Sequence, residues 1–328
     1  LASLNQLKIF WTVANSPSLT KAAKQLGLSQ PSLSQQVAKL EQSLGGKLFD
    51  RVNNQLILTD AGRYLVRRAE IILSEVDETE IEIAAFLNGG RGRIAVGSLA
   101  SLARTVVPDA MRRLEALRPG IEIDLHELSP VEAVDQLYGR NLQIALLSSF
   151  SLAPNRNAFS KIELMEDQLV LAVPAHLDID GVADPERDLS VEGRDLLNRT
   201  IQFNFGNQQN SRTEEWYRRV LPRHRTVAWC RSYESALAMV EAGLGVCLVP
   251  HMATQQNGRL LFDVRLYAVP GWVRPIVALV SPQYLRQEPF SLFVQALREA
   301  GKGCNPPALR ACPPFVLDRT DQIAKNKS

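Results

Sequence analysis

The chain has 328 residues, a formal net charge of +2, and side chains that are 45% hydrophobic, 22% charged and 6% aromatic. That length predicts two or three folded units, and the apolar fraction excludes wholesale disorder. Four cysteines are too few for a disulfide scaffold, the balanced charge makes any basic surface local, and no apolar run approaches the ~20 residues of a bilayer span.

Residues 1 to about 58 read as short helices broken by Gly and Pro. Leu4, Leu7, Trp11 and Ala14 share one face of a first helix. Leu19, Ala22, Ala23 and Leu26 share a face of a second, with Ser18 placed to cap it and Gly27 to end it. A third begins at Ser29-Gln30-Pro31, and its apolar residues Leu33, Val37, Leu40 and Leu44 form a narrow stripe. At 100° per residue Gln35 lies almost opposite that stripe, flanked by Pro31, Ser32, Ala38 and Lys39. Only Gly27-Leu28 joins helices two and three, which forces a sharp crossing and predicts a helix-turn-helix. Its second helix fits a major groove, where Gln pairs with adenine and Ser with either base type. A three-helix bundle with a solvated polar face would share this pattern. Lys8, Lys21, Lys24, Lys39, Lys47 and Arg51 against Glu41, Asp50 and Asp60 give residues 1–60 a net +3, which suits phosphates. Leu48-Phe49-Asp50-Arg51 and the run from Val52 to Thr59 predict a two-stranded wing turning at Asn53-Asn54.

Phe10, Ala22-Ala23, Leu26, Ser29-Gln30-Pro31-Ser32-Leu33-Ser34, Leu40-Glu41, Leu44-Gly45, Leu48-Phe49, Arg51, Leu58-Thr59 and Ala61-Gly62 stand together in register. This run resembles the winged helix-turn-helix of LysR-type transcriptional regulators. Gln35 is assigned to base readout, with Pro31, Ser32 and Ser34 beside it. Ser29 joins this set, and Gln30, Lys39, Thr20, Lys21 and Arg51 are assigned to phosphates or groove edges. Asn54 stands near the wing position where that family usually carries a basic residue, and is counted with the DNA-binding set.

From Ala61 to about Leu87 one helical stretch runs without Pro. Leu65, Ala69, Ile72, Val76, Thr79, Ile83 and Phe86 alternate at spacings of 4 and 3, the seam of a two-stranded coiled coil. An amphipathic helix packed on its own unit is the alternative. The resemblance implies the dimer, because the family pairs two DNA-binding units through such a helix.

After the Gly-Gly-Arg-Gly run at 89–92, short β-branched segments alternate with helical patterns. Predicted strands are 93–97, 143–147, 168–173, 200–205, 226–230, 245–249, 265–269 and 275–280, with helices at 101–117, 130–138, 211–220, 232–242 and 289–300. This alternation predicts an α/β region with a mostly parallel sheet. The tail from Lys302, with Pro306, Pro307, Pro313 and Pro314, has no periodicity and is expected to lack order. The segment from Leu237 to Pro250 and the crossing at Leu164 to Val173 are similar to the family's effector-binding region, itself similar to periplasmic solute-binding proteins.

The predicted architecture is therefore an α/β multi-domain chain. It comprises a winged helix-turn-helix (1–60), a coiled-coil linker helix (61–88) and a two-subdomain effector region (91–300), followed by a tail (301–328). Subdomain I takes about 91–163 and 270–300, and subdomain II about 164–269. Ligands of such sheets sit beyond the carboxyl ends of strands. That rule selects Ser98, Ser101, Ser148, Ser149, Asn204, Phe205, Ser232 and Tyr233, a set suited to a small acidic or polar metabolite. Helix capping would use the same hydroxyls.

His126, His176, His224 and His251 show no metal spacing, and no nucleophile elbow, phosphate loop or dinucleotide fingerprint occurs. The expectation is a non-enzymatic regulator without metal or cofactor. Its expected partners are double-stranded promoter DNA, a small-molecule effector, further copies of itself in a homotetramer, and RNA polymerase. A cytoplasmic location without membrane contact is expected, since no signal-peptide core follows Leu1. A redox-responsive regulator using Cys230 and Cys247 is the alternative within the same fold. A solute-binding protein is the alternative from another class.

Overall fold

The computed structural model describes residues 2–52, 55–87, 92–151, 158–203 and 208–325. Its N-terminal unit holds α1 (Leu4–Asn15), α2 (Leu19–Gln25), α3 (Gln30–Leu44) and a hairpin of β1 (Phe49–Val52) and β2 (Gln55–Leu58). Each helix starts at a serine whose hydroxyl accepts a backbone N–H of the first turn: Ser3 from Gln6, Ser18 from Lys21 and Ser29 from Ser32. These bonds satisfy donors that a helix leaves unpaired. Gly27, at φ +63°, makes the turn between α2 and α3. Phe10, Ala22, Leu33 and Leu40 fill the space between the helices and are fully buried.

Glu41 ties α3 to the hairpin. Its buried carboxylate accepts the Leu48 N–H at 2.9 Å, the Phe49 N–H at 3.2 Å and the Lys47 ammonium at 2.8 Å. Burial pushes its pKa up, but the hydrogen bonds from Lys47, Leu48 and Phe49 outweigh burial and hold it below the ordinary carboxylate value.

α4 (Asp60–Leu87) leaves the hairpin at a right fit. Thr59 Oγ1 accepts the Gly62 N–H at 3.0 Å and donates to the Lys47 carbonyl at 2.8 Å. A Cβ on Gly62 would stand 2.2 Å from the Leu48 carbonyl oxygen, so only glycine permits this approach. The predicted heptad seam is divided. Ala69 is buried in the N-terminal core with Leu73, whereas Ile72, Thr79 and Ile83 are exposed. The Phe86 side chain lies outside the described residues.

The C-terminal region runs through β3 (Arg93–Ser98), α5 (Ala100–Thr105), α6 (Val107–Leu117), β4 (Glu122–Glu127), α7 (Pro130–Tyr138), β5 (Ile144–Ser148) and the long β6 (Ser160–Pro174). It continues with α8 (Pro185–Asp188), α9 (Val191–Asn198), β7 (Arg199–Phe203), α10 (Gln208–Val220), β8 (Arg225–Cys230), α11 (Tyr233–Glu241) and β9 (Cys247–Pro250). A short hairpin, β10 (Gln255–Gln256) and β11 (Arg259–Leu260), precedes the long β12 (Val264–Val280), α12 (Phe290–Lys302) and α13 (Pro314–Lys325).

Six strands form one sheet in the order β4-β3-β5-β12-β6-β9, and β7 pairs with β8. Within the six, only the neighbouring pairs β4–β3 and β3–β5 are parallel; β12 runs antiparallel to both β5 and β6, and β9 antiparallel to β6. The sheet is therefore mixed rather than mostly parallel. β6 and β12 pair from Ser160↔Val280 to Val264↔Pro174, so both cross from one lobe to the other. The predicted strands 265–269 and 275–280 are one strand interrupted by a bulge between Ala268 and Val273, where Pro270 and Gly271 conceal its continuity. The edge strand β4, with its alternation of Glu122, Asp124 and His126, carried too little apolar signal to be predicted. Lobe I has its core around Ile94, Val96, Ile144, Leu146 and Phe293; lobe II has its cores around Val173, Trp216 and Leu248, and around Ile201, Leu237 and Cys247.

The segment after Lys302 differs from the expected disordered tail. Arg310 exchanges backbone hydrogen bonds with Leu266 and Ala268 of β12, and Phe315 and Val316 are buried in the core of lobe II. Pro314 begins α13 because the first helical residue needs no N–H partner.

Where the crossover strands exchange lobes, Asp167 stands opposite Arg274. Arg274 donates to Asp167 Oδ2 through Nε at 3.0 Å and through a terminal nitrogen at 2.7 Å, and both side chains are almost fully buried. Replacing Asp167 by Ala should destabilise the C-terminal region by about 3–5 kcal/mol, because the guanidinium stays buried without its charge partner. Asp167→Leu with Arg274→Met should recover most of that loss, read as the chemical unfolding midpoint. The Glu41 carboxylate stabilises above its unfolded pKa, and this contribution is lost as pH falls through the lowered folded value. Glu41→Gln should therefore cost about 1–3 kcal/mol at neutral pH and almost nothing in acid. A pH series of unfolding midpoints checks this.

Candidate DNA-contacting face and effector cleft

The exposed side of α3 is polar and small. Gln30, Pro31, Gln35 and Lys39 are exposed, and Ser32 and Ser34 are half-buried beside them. Leu33, Val37 and Leu40 anchor the opposite side, so Gln35 projects from a helix fixed along its length. Thr20 is exposed on α2 and donates to Gln30 Oε1 at 3.3 Å, which joins the first turn of α2 to the first turn of α3. The Ser29 hydroxyl is engaged in capping. Arg51 is exposed on β1. The register Val52↔Gln55 leaves two residues in the wing loop, and Asn54 lies outside the described residues. Lys21 stands apart from this set, because its ammonium is 2.6 Å from Asp135 Oδ2 on α7 of lobe I.

The residues expected to contact an effector fall on both lobes. Ser98 ends β3, Ser101 lies in the first turn of α5, and Ser148 ends β5. The register Ser98↔Leu146 sets Ser148 one pleat further along the neighbouring parallel strand. All three serines are buried. Ser98 Oγ donates to the Leu99 carbonyl at 3.1 Å, but the hydroxyls of Ser101 and Ser148 have no hydrogen-bond partner among the described residues. Ser149 is half-buried at the start of a short turn. On lobe II, Ser232 caps α11, accepting the Ser235 N–H at 3.3 Å and donating to Glu234 Oε2 at 2.8 Å. Tyr233 packs 4.5 Å from the ring of Phe203 at the end of β7. Asn204 and Phe205 lie outside the described residues.

Two cations that sequence reasoning missed bring these walls together. Arg104, on the same helix as Ser101, donates to Glu234 Oε1 at 2.9 Å and to the Ala253 carbonyl at 3.1 Å. Glu234 thus links the α5 wall to Ser232 on the α11 wall. Arg212 of α10 lies 4.8 Å from the ring of Phe150, next to Ser149, and 5.4 Å from the ring of Trp272 in the crossover. Each bridge spans the two lobes, which no local pattern records. The only trace in the sequence is an Arg three residues after Ser101.

The cysteines are placed differently. Cys247 is fully buried and Cys230 nearly so, and burial pushes both thiols up, away from the reactive thiolate. Among the described residues no group of His, Cys, Asp and Glu could hold a metal ion, and no helix is long and apolar enough to cross a membrane.

The profile of the bacterial regulatory helix-turn-helix protein, lysR family, matches residues 4–63, and that of the LysR substrate binding domain matches residues 87–302. The chain is 29% identical over 303 residues to the "Probable hydrogen peroxide-inducible genes activator" of Streptomyces viridosporus, covering 91% of this chain and 94% of that protein. It is 33% identical to the uncharacterized regulator YybE of Bacillus subtilis, over 52% of this chain and only 57% of that protein. Among solved structures, OxyR of Corynebacterium glutamicum shares the fold at 23% identity with a TM-score of 0.51, covering 98% of this chain and 94% of that one. The chain belongs to the LysR family, and is a DNA-binding transcriptional regulator rather than an enzyme, with an N-terminal helix-turn-helix unit and a C-terminal effector-binding region.

Proposed function

We propose that the chain binds promoter DNA through α3 and the wing while a small acidic or polar metabolite in the cleft between the lobes modulates that binding. Gln35 reads a base edge, Ser29, Pro31, Ser32 and Ser34 contact the groove beside it, and Gln30, Thr20, Lys39, Arg51 and Asn54 meet phosphates or groove edges. The exposed Ile72 and Ile83 of α4 pair two chains, two such dimers make a homotetramer, and the assembly acts on RNA polymerase in the cytoplasm. The effector reading rests on one observation above all. Among the described residues, Ser101 in the first turn of α5 and Ser148 at the end of β5 hold buried hydroxyls without hydrogen-bond partners. Leaving such groups unpaired costs stability, which a ligand offering acceptors would restore. Ser98, Ser149, Ser232, Tyr233, Asn204 and Phe205 complete the proposed site. The thiol alternative has no comparable support, since Cys230 and Cys247 are held protonated in an apolar core.

Footprinting on the chain's own upstream region tests the DNA assignment. Gln35→Ala should relax preference at one base pair by about 1–3 kcal/mol; an equal loss on every sequence would remove its base-reading role. Calorimetry against a panel of small carboxylates tests the cleft. Ser101→Ala and Ser148→Ala should each weaken effector binding about tenfold while leaving DNA affinity without effector unchanged. Unaltered effector affinity in both variants would place the pocket elsewhere.

A further inference from the structure

The N-terminal unit and lobe I are in direct contact away from the cleft. Asp135 of α7 receives two donors from α2: the Lys21 ammonium on Oδ2 at 2.6 Å and the Gln25 amide on Oδ1 at 3.1 Å. Glu132, one turn earlier on α7, is held below the ordinary carboxylate value by hydrogen bonds from Ser129, with smaller contributions from Arg231 and Lys24. At the end of α7 the backbone of Gly139 approaches the Gln25 carbonyl. Tyr138 and Phe159 of lobe I stack around Trp11 of α1, with ring centroids 5.8 Å and 6.5 Å from it. Arg140, held at φ +58°, lays its guanidinium 5.1 Å from the Trp11 ring and pairs with Asp77 and Glu70 of α4. A non-glycine residue in the left-handed region is uncommon, and here its side chain is nearly buried in the contact.

The first helix of a helix-turn-helix crosses the phosphate backbone when the second enters the groove. Here the first helix is α2, and its leading turn already touches that of α3 through Thr20 and Gln30. A carboxylate on Lys21 offers the same negative charge and acceptor oxygens as a phosphate. We propose that lobe I brakes DNA binding: Asp135 competes with a backbone phosphate for Lys21 and keeps it, so that the wild-type protein binds DNA without that contact. The inference rests on the reading of α2 and α3 as the DNA-contacting pair.

The test measures the affinity of full-length protein for its promoter fragment across a salt series. Asp135→Asn should raise affinity several-fold at low salt and steepen the slope of log K against log salt by about 0.9, the signature of one added phosphate contact. Asp135→Glu, which keeps the charge, should change neither. Lys21→Gln should leave the slope unchanged alone, yet abolish the gain when combined with Asp135→Asn. An unchanged slope in a folded Asp135→Asn protein, or a loss of affinity, would overturn the brake. The DNA reading itself fails in a different way: no retardation of the fragment by any of the five proteins, wild type included, at low salt.

Discussion

Asp167 and Arg274 meet at the point where both long strands pass from one lobe to the other, and the geometry of the sensor radiates from that pair. Two charges taken out of water stabilise little by themselves, because desolvation offsets most of their attraction. What the pair supplies is position. The second oxygen of Asp167 accepts the Met252 N–H at 3.2 Å, which fixes the turn from His251 to Thr254 against the crossover. Arg104 then reaches the Ala253 carbonyl in that same turn and continues to Glu234 and, through it, to Ser232. A continuous set of polar contacts therefore runs from the hinge to both walls of the cleft. A ligand that separated Arg104 from Glu234, or drew them closer, would act on the lobe angle where it is set.

The N-terminal unit was legible because its determinants are local. Serine caps, the Gly27 turn, the apolar stripe of α3 and the close approach at Gly62 all act within a few residues. The C-terminal region was legible as an α/β alternation and less so as a topology. Pro270, Gly271 and Pro275 read as a break in what is a single bulged strand, since a proline in a bulged pairing costs less than one in a regular ladder. The ordered segment after Lys302 escaped notice for a related reason. Its contacts are non-periodic: Arg310 adds to β12, and Phe315 fills lobe II, two residues whose neighbours lie far away in sequence.

The candidate sites divide along the same line. Gln35 could be placed by helical geometry, and the serines by the rule that ligands gather at the carboxyl ends of strands. Arg104 and Arg212 could not, because each is defined by a partner in the other lobe. Lys21 was assigned to phosphate on charge alone, and its sequence neighbourhood contains nothing to indicate that Asp135 holds it. Charge on a helix surface reports what a residue can bind; the competing partners are a property of the whole fold.

The contact between α1, α2 and lobe I also has the energetic scale that control requires. The ion pair of Lys21 with Asp135 is partly buried, and surface ion pairs stabilise by about 0–1 kcal/mol. The packing of Trp11 with Tyr138 and Phe159 adds about 0.5–1.5 kcal/mol for each aromatic pair, and the guanidinium over Trp11 about as much again. The charged part is the smaller part, and it is the part that salt screens. Aromatic packing would then hold the two units in register with or without the ion pair, so that releasing Lys21 need not separate the domains. α4 enforces the same arrangement from the other side. It gives Ala69 and Leu73 to the N-terminal core, Glu70 and Asp77 to Arg140, and leaves Ile72 and Ile83 exposed. One helix thus meets the DNA-binding unit and the sensor on separate faces, so a shift of lobe I about Arg140 would be felt at both.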